Sequence, residues 1–300
     1  MLYHQNLEGW AAWGREYQNR KAFSPLAQEI YRRNGIGFEP LTPLTPGTNA
    51  VFRSGSTVIK IYTPDETGRS GKVGYETELF SMKHSEACGF PAPRVLAGGY
   101  IDDKYRFYYI IMEYIDAPEF LEIRPTLSHD ALVSLASDFG QKLRRLNVPV
   151  NRFTPVDVCE QAEENERWNH LPPAFRTEAL RIAAEAAGES QVYVHGDLNG
   201  DNVLFRDGGL YVIDFADSNT APYWYESVCV ICDLFDFDLA CAEAFTALSG
   251  DELAHQLYRG LMLHDFGADI ITQNVKQRFG DTVVQSPAAL LQKLKSWAAG

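Results

Sequence analysis

Long apolar runs are missing from this sequence. No segment of its 300 residues approaches the roughly 18–20 apolar positions that a membrane-crossing helix needs. The opening MLYHQNLEGW has neither a basic start nor an apolar stretch, so it does not read as a secretory leader. Cysteine is scarce. The five present (Cys88, Cys159, Cys229, Cys232 and Cys241) are few and odd in number for a disulfide scaffold, and a reducing cytoplasm is the expected setting. Basic residues are short as well, with 27 Lys and Arg against 40 Asp and Glu and a net charge of −13. Nucleic acid and anionic membrane are therefore not expected partners, because both require a basic face. Apolar material is ample: 45% of residues are hydrophobic, including 17 Phe, 15 Tyr and 5 Trp, which suits an extensive core and not a disordered chain.

The charge is unevenly placed. Residues 1–115 hold 13 basic and 12 acidic side chains, whereas the remainder hold 14 and 28, so the excess belongs to the second part. It is densest over 226–254, where seven acids (Glu226, Asp233, Asp236, Asp238, Glu243, Asp251, Glu252) occur without a Lys or Arg. Two readings stay open: a solvated acidic surface, or a cleft whose focused field draws in a cation.

Periodicity suggests the organisation. Residues 7–34 read as one or two short helices, and Thr57–Tyr62 as a strand following a Gly/Ser-rich hairpin around Gly47 and Gly55. A helix is expected over 73–88, stopped by Pro91 and Pro93. The aromatic-rich run Phe107–Tyr114 reads as a central strand, and Asp116-Ala117-Pro118 marks the expected boundary between lobes at 1–115 and 116–300. Helical spacing covers 128–147, with Ser128 as cap, and 174–188. Three short strands are predicted at 192–194, 203–205 and 210–215, with helices to the end after Pro222. Strands with one helix, then helices with a small strand insert, predict an α+β chain with two lobes of different class.

The chemistry is concentrated in VYVHGDLNGDNVLFRDGGLYVIDFAD, residues 192–217. Asp197 lies in a polar loop after an apolar strand, Asn202 starts the next strand, and Asp214 is expected to end a third. Phosphoryl transfer needs placement and charge neutralisation more than covalent help. A carboxylate and an amide oxygen can hold Mg²⁺ against phosphates, and a further carboxylate can accept a hydroxyl proton. Asp197 is thus the expected base, with Asn202 and Asp214 as metal ligands.

HGDLNGDNVLF resembles the HGDxxxxN pattern of the aminoglycoside phosphotransferase family, and VIDF resembles its metal-binding segment. The resemblance implies a protein-kinase-like fold with a small β-rich N-lobe and a larger, mainly helical C-lobe. It also implies ATP and Mg²⁺ as cofactors, and phosphorylation of a hydroxyl on a small molecule such as an aminoglycoside, a choline-like compound or an amino sugar. His195 would arrange the loop, and Asp214 would hold both metal ions. Protein kinases usually carry HRDLK and DFG; here HGDLN and DFA stand, and no APE-like segment follows. A protein kinase and an inactive nucleotide-binding regulator are the alternatives.

The same resemblance requires an upstream lysine, and Lys60 in VIKIY fits, with Glu78 preferred over Glu76 as its partner. Gly47, Thr48 and Asn49 in TPGTNAVF would cover the phosphates, and the backbone of Met112 and Tyr114 would meet the adenine edge. Two positions depart from the family pattern. Glu226 in APYWYES stands in for an aspartate of a DPxxD-like segment, and Asn147 replaces a common histidine. Cys229 and Cys232 lack the partners for a zinc set and read as core residues.

Overall fold

A computed structural model of the chain describes residues 1–45 and 47–300. Two compact units emerge: Met1–Glu86 with Ala92–Asp116, and Ala87–Pro91 with Ala117–Gly300. The architecture is α+β and two-lobed, with the sheet in the first unit and most of the helices in the second, as a kinase-like fold requires.

In the first unit, five strands form an antiparallel sheet: β1 (Thr42–Pro43), β2 (Ala50–Ser54), β3 (Thr57–Ile61), β4 (Val95–Asp102) and β5 (Arg106–Glu113), ordered β1-β2-β3-β5-β4. Strand alternation sends Phe52, Ile59, Ile61, Phe107, Tyr109 and Ile111 into one core, which the N-terminal helices Trp10–Glu16 and Arg20–Arg33 close with Trp13, Phe23, Leu26 and Ile30. Phe23 is the centre of that core, with ring centroids 4.8 Å from Tyr3, 5.7 Å from Phe52, 5.9 Å from Trp13 and 6.2 Å from Phe107. The other face of β3 carries Lys60 and is also covered, since all five β3 residues are buried. There the helix Gly71–Ala87 brings Glu78 against the strand. Its first residue must be glycine, because a β-carbon at Gly71 would overlap the Thr63 carbonyl. That close approach fixes where the helix starts.

The second unit is built around a helical core containing Trp168, Phe175, Ile182, Trp224, Tyr225, Leu257, Leu261 and Leu290. The helix His129–Leu146 begins at Ser128, whose hydroxyl accepts from the Ala131 N–H, and buries Leu135, Phe139 and Leu143. Two small antiparallel ribbons carry the motif: β6 (Val192–Val194) pairs with β9 (Asn219–Ala221), and β7 (Val203–Arg206) pairs with β8 (Gly209–Val212). This corrects the expected three-strand unit in two respects. The first strand pairs with β9, which was not predicted, and the third ends at Val212 instead of including Asp214. Asp207 and Gly208, at φ 52° and 76°, close the β7–β8 turn as a two-residue hairpin requires. No helix among the described residues is long and apolar enough to cross a membrane.

Removing the Phe23 ring leaves a void within an aromatic cluster. Phe23→Ala should destabilise the first unit by about 3–5 kcal/mol, measured by denaturant unfolding of that unit's fluorescence; a loss below about 1 kcal/mol would contradict the packing described.

Candidate active site

The loop between β6 and β7 is held by its backbone. Glu226 is buried and accepts from the His195 N–H at 2.7 Å and the Gly196 N–H at 3.1 Å. Asn147 donates its amide to the same carboxylate at 3.0 Å and to the Tyr193 carbonyl at 2.6 Å. Gly196 sits at φ 87°, and a β-carbon there would overlap the Asp217 carbonyl oxygen, so this turn admits only glycine. His195 locks the next step. Its Nδ1 accepts from the Asp197 N–H at 3.3 Å, which places the ring proton on Nε2 to donate to the Ile213 carbonyl at 3.2 Å. The ring also packs edge-on against Phe215 at 4.6 Å.

Asp197 emerges from this brace between two amides. Asn199 Nδ2 donates to Oδ1 at 2.9 Å, and Asn202 Nδ2 donates to Oδ2 at 3.0 Å and to the Asp197 carbonyl at 2.9 Å. Burial nevertheless pushes the Asp197 carboxyl up to about 7, helped by the charges of Asp217 and Asp214, against the pull of the two amides. Asp214 follows β8 at φ 58°, an uncommon conformation for a side chain other than glycine, and lies beside the loop through the Ile213 N–H bond to the Asn202 carbonyl at 3.0 Å. The structure thus brings Asp197, Asn202 and Asp214 together.

Oxygen donors suit Mg²⁺. Asn202 spends its amide nitrogen on Asp197, which turns its oxygen to other uses, and Asp214 adds a carboxylate. Among the described residues, no group of three or more His, Cys, Asp or Glu side chains could hold a metal by itself. Phosphate oxygens and water would have to complete the shell of any cation here.

A cavity of about 440 Å³ opens beside Asp197, of the size usual for small-molecule sites. Its polar wall includes Asp201, Asp233, Asp269 and Asn274, and its apolar wall includes Leu121, Phe266 and Ile270. Asp233 accepts the Gly200 N–H at 2.6 Å, so the cavity wall also steadies the loop. Cys229 and Cys232 are buried as expected, with thiols pushed well up by burial, yet both border this cavity.

In the first unit, Lys60 Nζ lies 2.7 Å from Glu78 Oε2, and both side chains are buried. Glu76 is exposed and instead approaches Lys72 at 3.6 Å. Gly47 and Thr48 are exposed and Asn49 is half-buried; the Thr48 carbonyl accepts from Trp13 Nε1 at 2.9 Å, and Pro46 of this loop lies outside the described residues. Met112 is buried in β5 opposite Val58. The Tyr114 N–H, just past β5, bonds to the Ser56 carbonyl at 3.0 Å.

A family model described as the phosphotransferase enzyme family (APH) matches residues 44–263. The chain belongs to this family. As an APH phosphotransferase it carries out nucleotide-dependent phosphoryl transfer to a hydroxyl-bearing small molecule. Solved aminoglycoside phosphotransferases share its fold. ADP-bound APH(2'')-Ib is 18% identical, with 91% of this chain and 98% of that chain covered and a TM-score of 0.58. The GDP complex of aminoglycoside 2'-phosphotransferase-IIIa is 16% identical, with 94% and 99% covered and a TM-score of 0.61. APH(4)-Ia is 17% identical, with 91% and 97% covered and a TM-score of 0.57. No curated protein matches the chain by sequence.

The two departures of this APH phosphotransferase from the family pattern meet in space, since Asn147 donates to Glu226. Sequence reading missed Asp217, although its spacing in DFAD, three residues after Asp214, was a usable signal. Asp233 stood out only as one of seven acids over 226–254, and nothing local singled it out as the one that braces Gly200.

His264 supports the same region from the core. It is buried, stacked on Tyr225 at 4.4 Å, and its Nε2 lies 3.6 Å from Cys229 Sγ. Burial lowers its pKa from 6.5 to about 3. A depressed value means that protons favour the unfolded chain: this contribution is complete above about pH 6.5 and is lost as pH falls toward 3. His264→Gln should therefore flatten the decline in stability between pH 6.5 and 4, where the native histidine contributes up to about 1.4 kcal/mol per pH unit. Equal acid slopes in urea melts of the two proteins would contradict a neutral buried imidazole.

Proposed function

We propose that the chain transfers the γ-phosphoryl group of ATP to a hydroxyl of a small cationic alcohol bound in the cavity beside Asp197. The observation that supports this best is Asp197 itself, oriented by two amides, largely desolvated and lining that cavity. Asp197 takes the proton of the attacking hydroxyl. The alcohol oxygen forms its bond to the γ-phosphorus as the bond from that phosphorus to the ADP oxygen breaks. Asn202 and Asp214 would hold Mg²⁺, which would neutralise phosphate charge when bound. In this reading Lys60, held by Glu78, meets the phosphates, while Gly47, Thr48 and Asn49 cover them and the backbone of Met112 and Tyr114 borders the adenine.

The acidic wall favours a cation as acceptor, because Asp201, Asp233 and Asp269 surround the space where the alcohol would lie. An aminoglycoside, an amino sugar and a choline-like alcohol all meet that chemistry, and a panel of such alcohols assayed for ADP release identifies the acceptor.

Asp197→Ala should lower turnover by about 10²–10⁴-fold while ATP affinity survives. Retained turnover would remove Asp197 as the base. Asp214→Ala should weaken the Mg²⁺ dependence of ATP binding and turnover together. For a charged acceptor, raising salt should increase KM more than for a neutral analogue, since screening weakens attraction at a distance. Equal responses would remove the acidic wall from recognition.

A further inference from the structure

The Lys60–Glu78 pair has a third member. Tyr62 lies two residues after Lys60, at the end of β3 and on the same side of the chain. Its hydroxyl donates to Glu78 Oε2 at 2.5 Å, and this is the same oxygen that meets Lys60 Nζ at 2.7 Å. Tyr62 is fully buried, Glu78 is 1% exposed and Lys60 4%. Packing fixes the ring: it stands edge-on to Tyr75 at 5.8 Å, and Tyr75 in turn lies 5.2 Å from Tyr108. The Lys60 ammonium is 5.8 Å from the centre of the Tyr62 ring.

A buried carboxylate facing one ammonium binds it strongly, and its orientation depends on that ammonium alone. A hydroxyl donor on the same oxygen changes both properties. It fixes the carboxylate independently of the lysine, and it takes up part of the negative charge that would otherwise hold the ammonium. The Lys60 ammonium is thereby held in a fixed position against a carboxylate that is itself held from two sides.

We propose that Tyr62 is a positioning residue for the nucleotide phosphates, acting through Glu78 on Lys60 and touching no part of the nucleotide. This rests on the assignment of Lys60 to the phosphates made above. An alternative is that Tyr62 only fills the space between β3 and the helix Gly71–Ala87. The two roles make different demands on the hydroxyl, because Tyr62→Phe keeps the ring and its packing.

The test is binding of Mg·ATP and of adenosine to the full chain by titration calorimetry, for the wild type, Tyr62→Phe, Glu78→Gln and the double variant. Tyr62→Phe should weaken ATP about 3–10-fold, the effect of one buried hydrogen bond, and leave adenosine within about twofold. In the Glu78→Gln background, Tyr62→Phe should add little further loss, because the acceptor through which it acts is altered. The proposal is overturned if ATP and adenosine weaken alike, if ATP affinity is unchanged, or if the loss is equal in both backgrounds. Lys60→Ala serves as the control on the premise. If it binds ATP as the wild type does, Lys60 does not meet the phosphates and the proposal falls with that assignment, whatever Tyr62→Phe does.

Discussion

A buried carboxylate that accepts only amide N–H groups among the described residues organises the loop between β6 and β7. Glu226 sits at the start of the acidic stretch, yet it does not belong to any surface. It accepts two successive backbone N–H groups, from His195 and Gly196, and one side-chain amide, from Asn147. Burial pushes the Glu226 carboxyl up, and the three donors offset only part of that rise. Two adjacent N–H groups can point at one carboxylate only if the chain turns sharply, and the turn is made at Gly196, in a conformation that side chains rarely adopt. The glycine in HGD is thus a consequence of the glutamate behind it.

From that turn the remaining geometry follows in sequence. His195 ties the Asp197 N–H on one side to the Ile213 carbonyl on the other, which brings the Asp214 segment alongside the loop. Asn199 and Asn202 then close on the Asp197 carboxylate from both oxygens. Amides orient the group without adding positive charge, so desolvation and the neighbouring acids still dominate its proton affinity. This is the environment a base needs if it is to receive a proton near neutral pH. Asp233 and the cavity complete the arrangement from the far side, through the Gly200 N–H.

Much of this was legible in the residues. The strand-forming run at 57–62, the capped helix after Ser128 and the β7–β8 turn at Asp207-Gly208 all follow local rules, and each appears where those rules put it. The motif residues were legible for a different reason: phosphate chemistry restricts which side chains can serve, so Asp197, Asn202 and Asp214 stand out against their neighbours. Local rules failed where tertiary packing decided. The pairing of β6 with β9 joins strands separated by the whole motif, and three-residue strands carry too little pattern to announce a partner. Asp214 falls outside β8 because its conformation cannot continue a strand. The compensation between Asn147 and Glu226 spans 79 residues and could be read from neither position alone. Tyr62 looked like the end of a strand, and only the helix laid across it shows where its hydroxyl goes.

The chemistry of the site depends on the loop holding Asp197 as a desolvated, amide-oriented carboxylate. The most direct test is a carbon-13 NMR titration of the Asp197 carboxyl in metal-free protein, assigned with Asp197→Asn. The account predicts a midpoint near 7, well above the ordinary 3.8 of an aspartate. A midpoint at the ordinary value would mean a solvated side chain, and the geometry described for this site would be wrong.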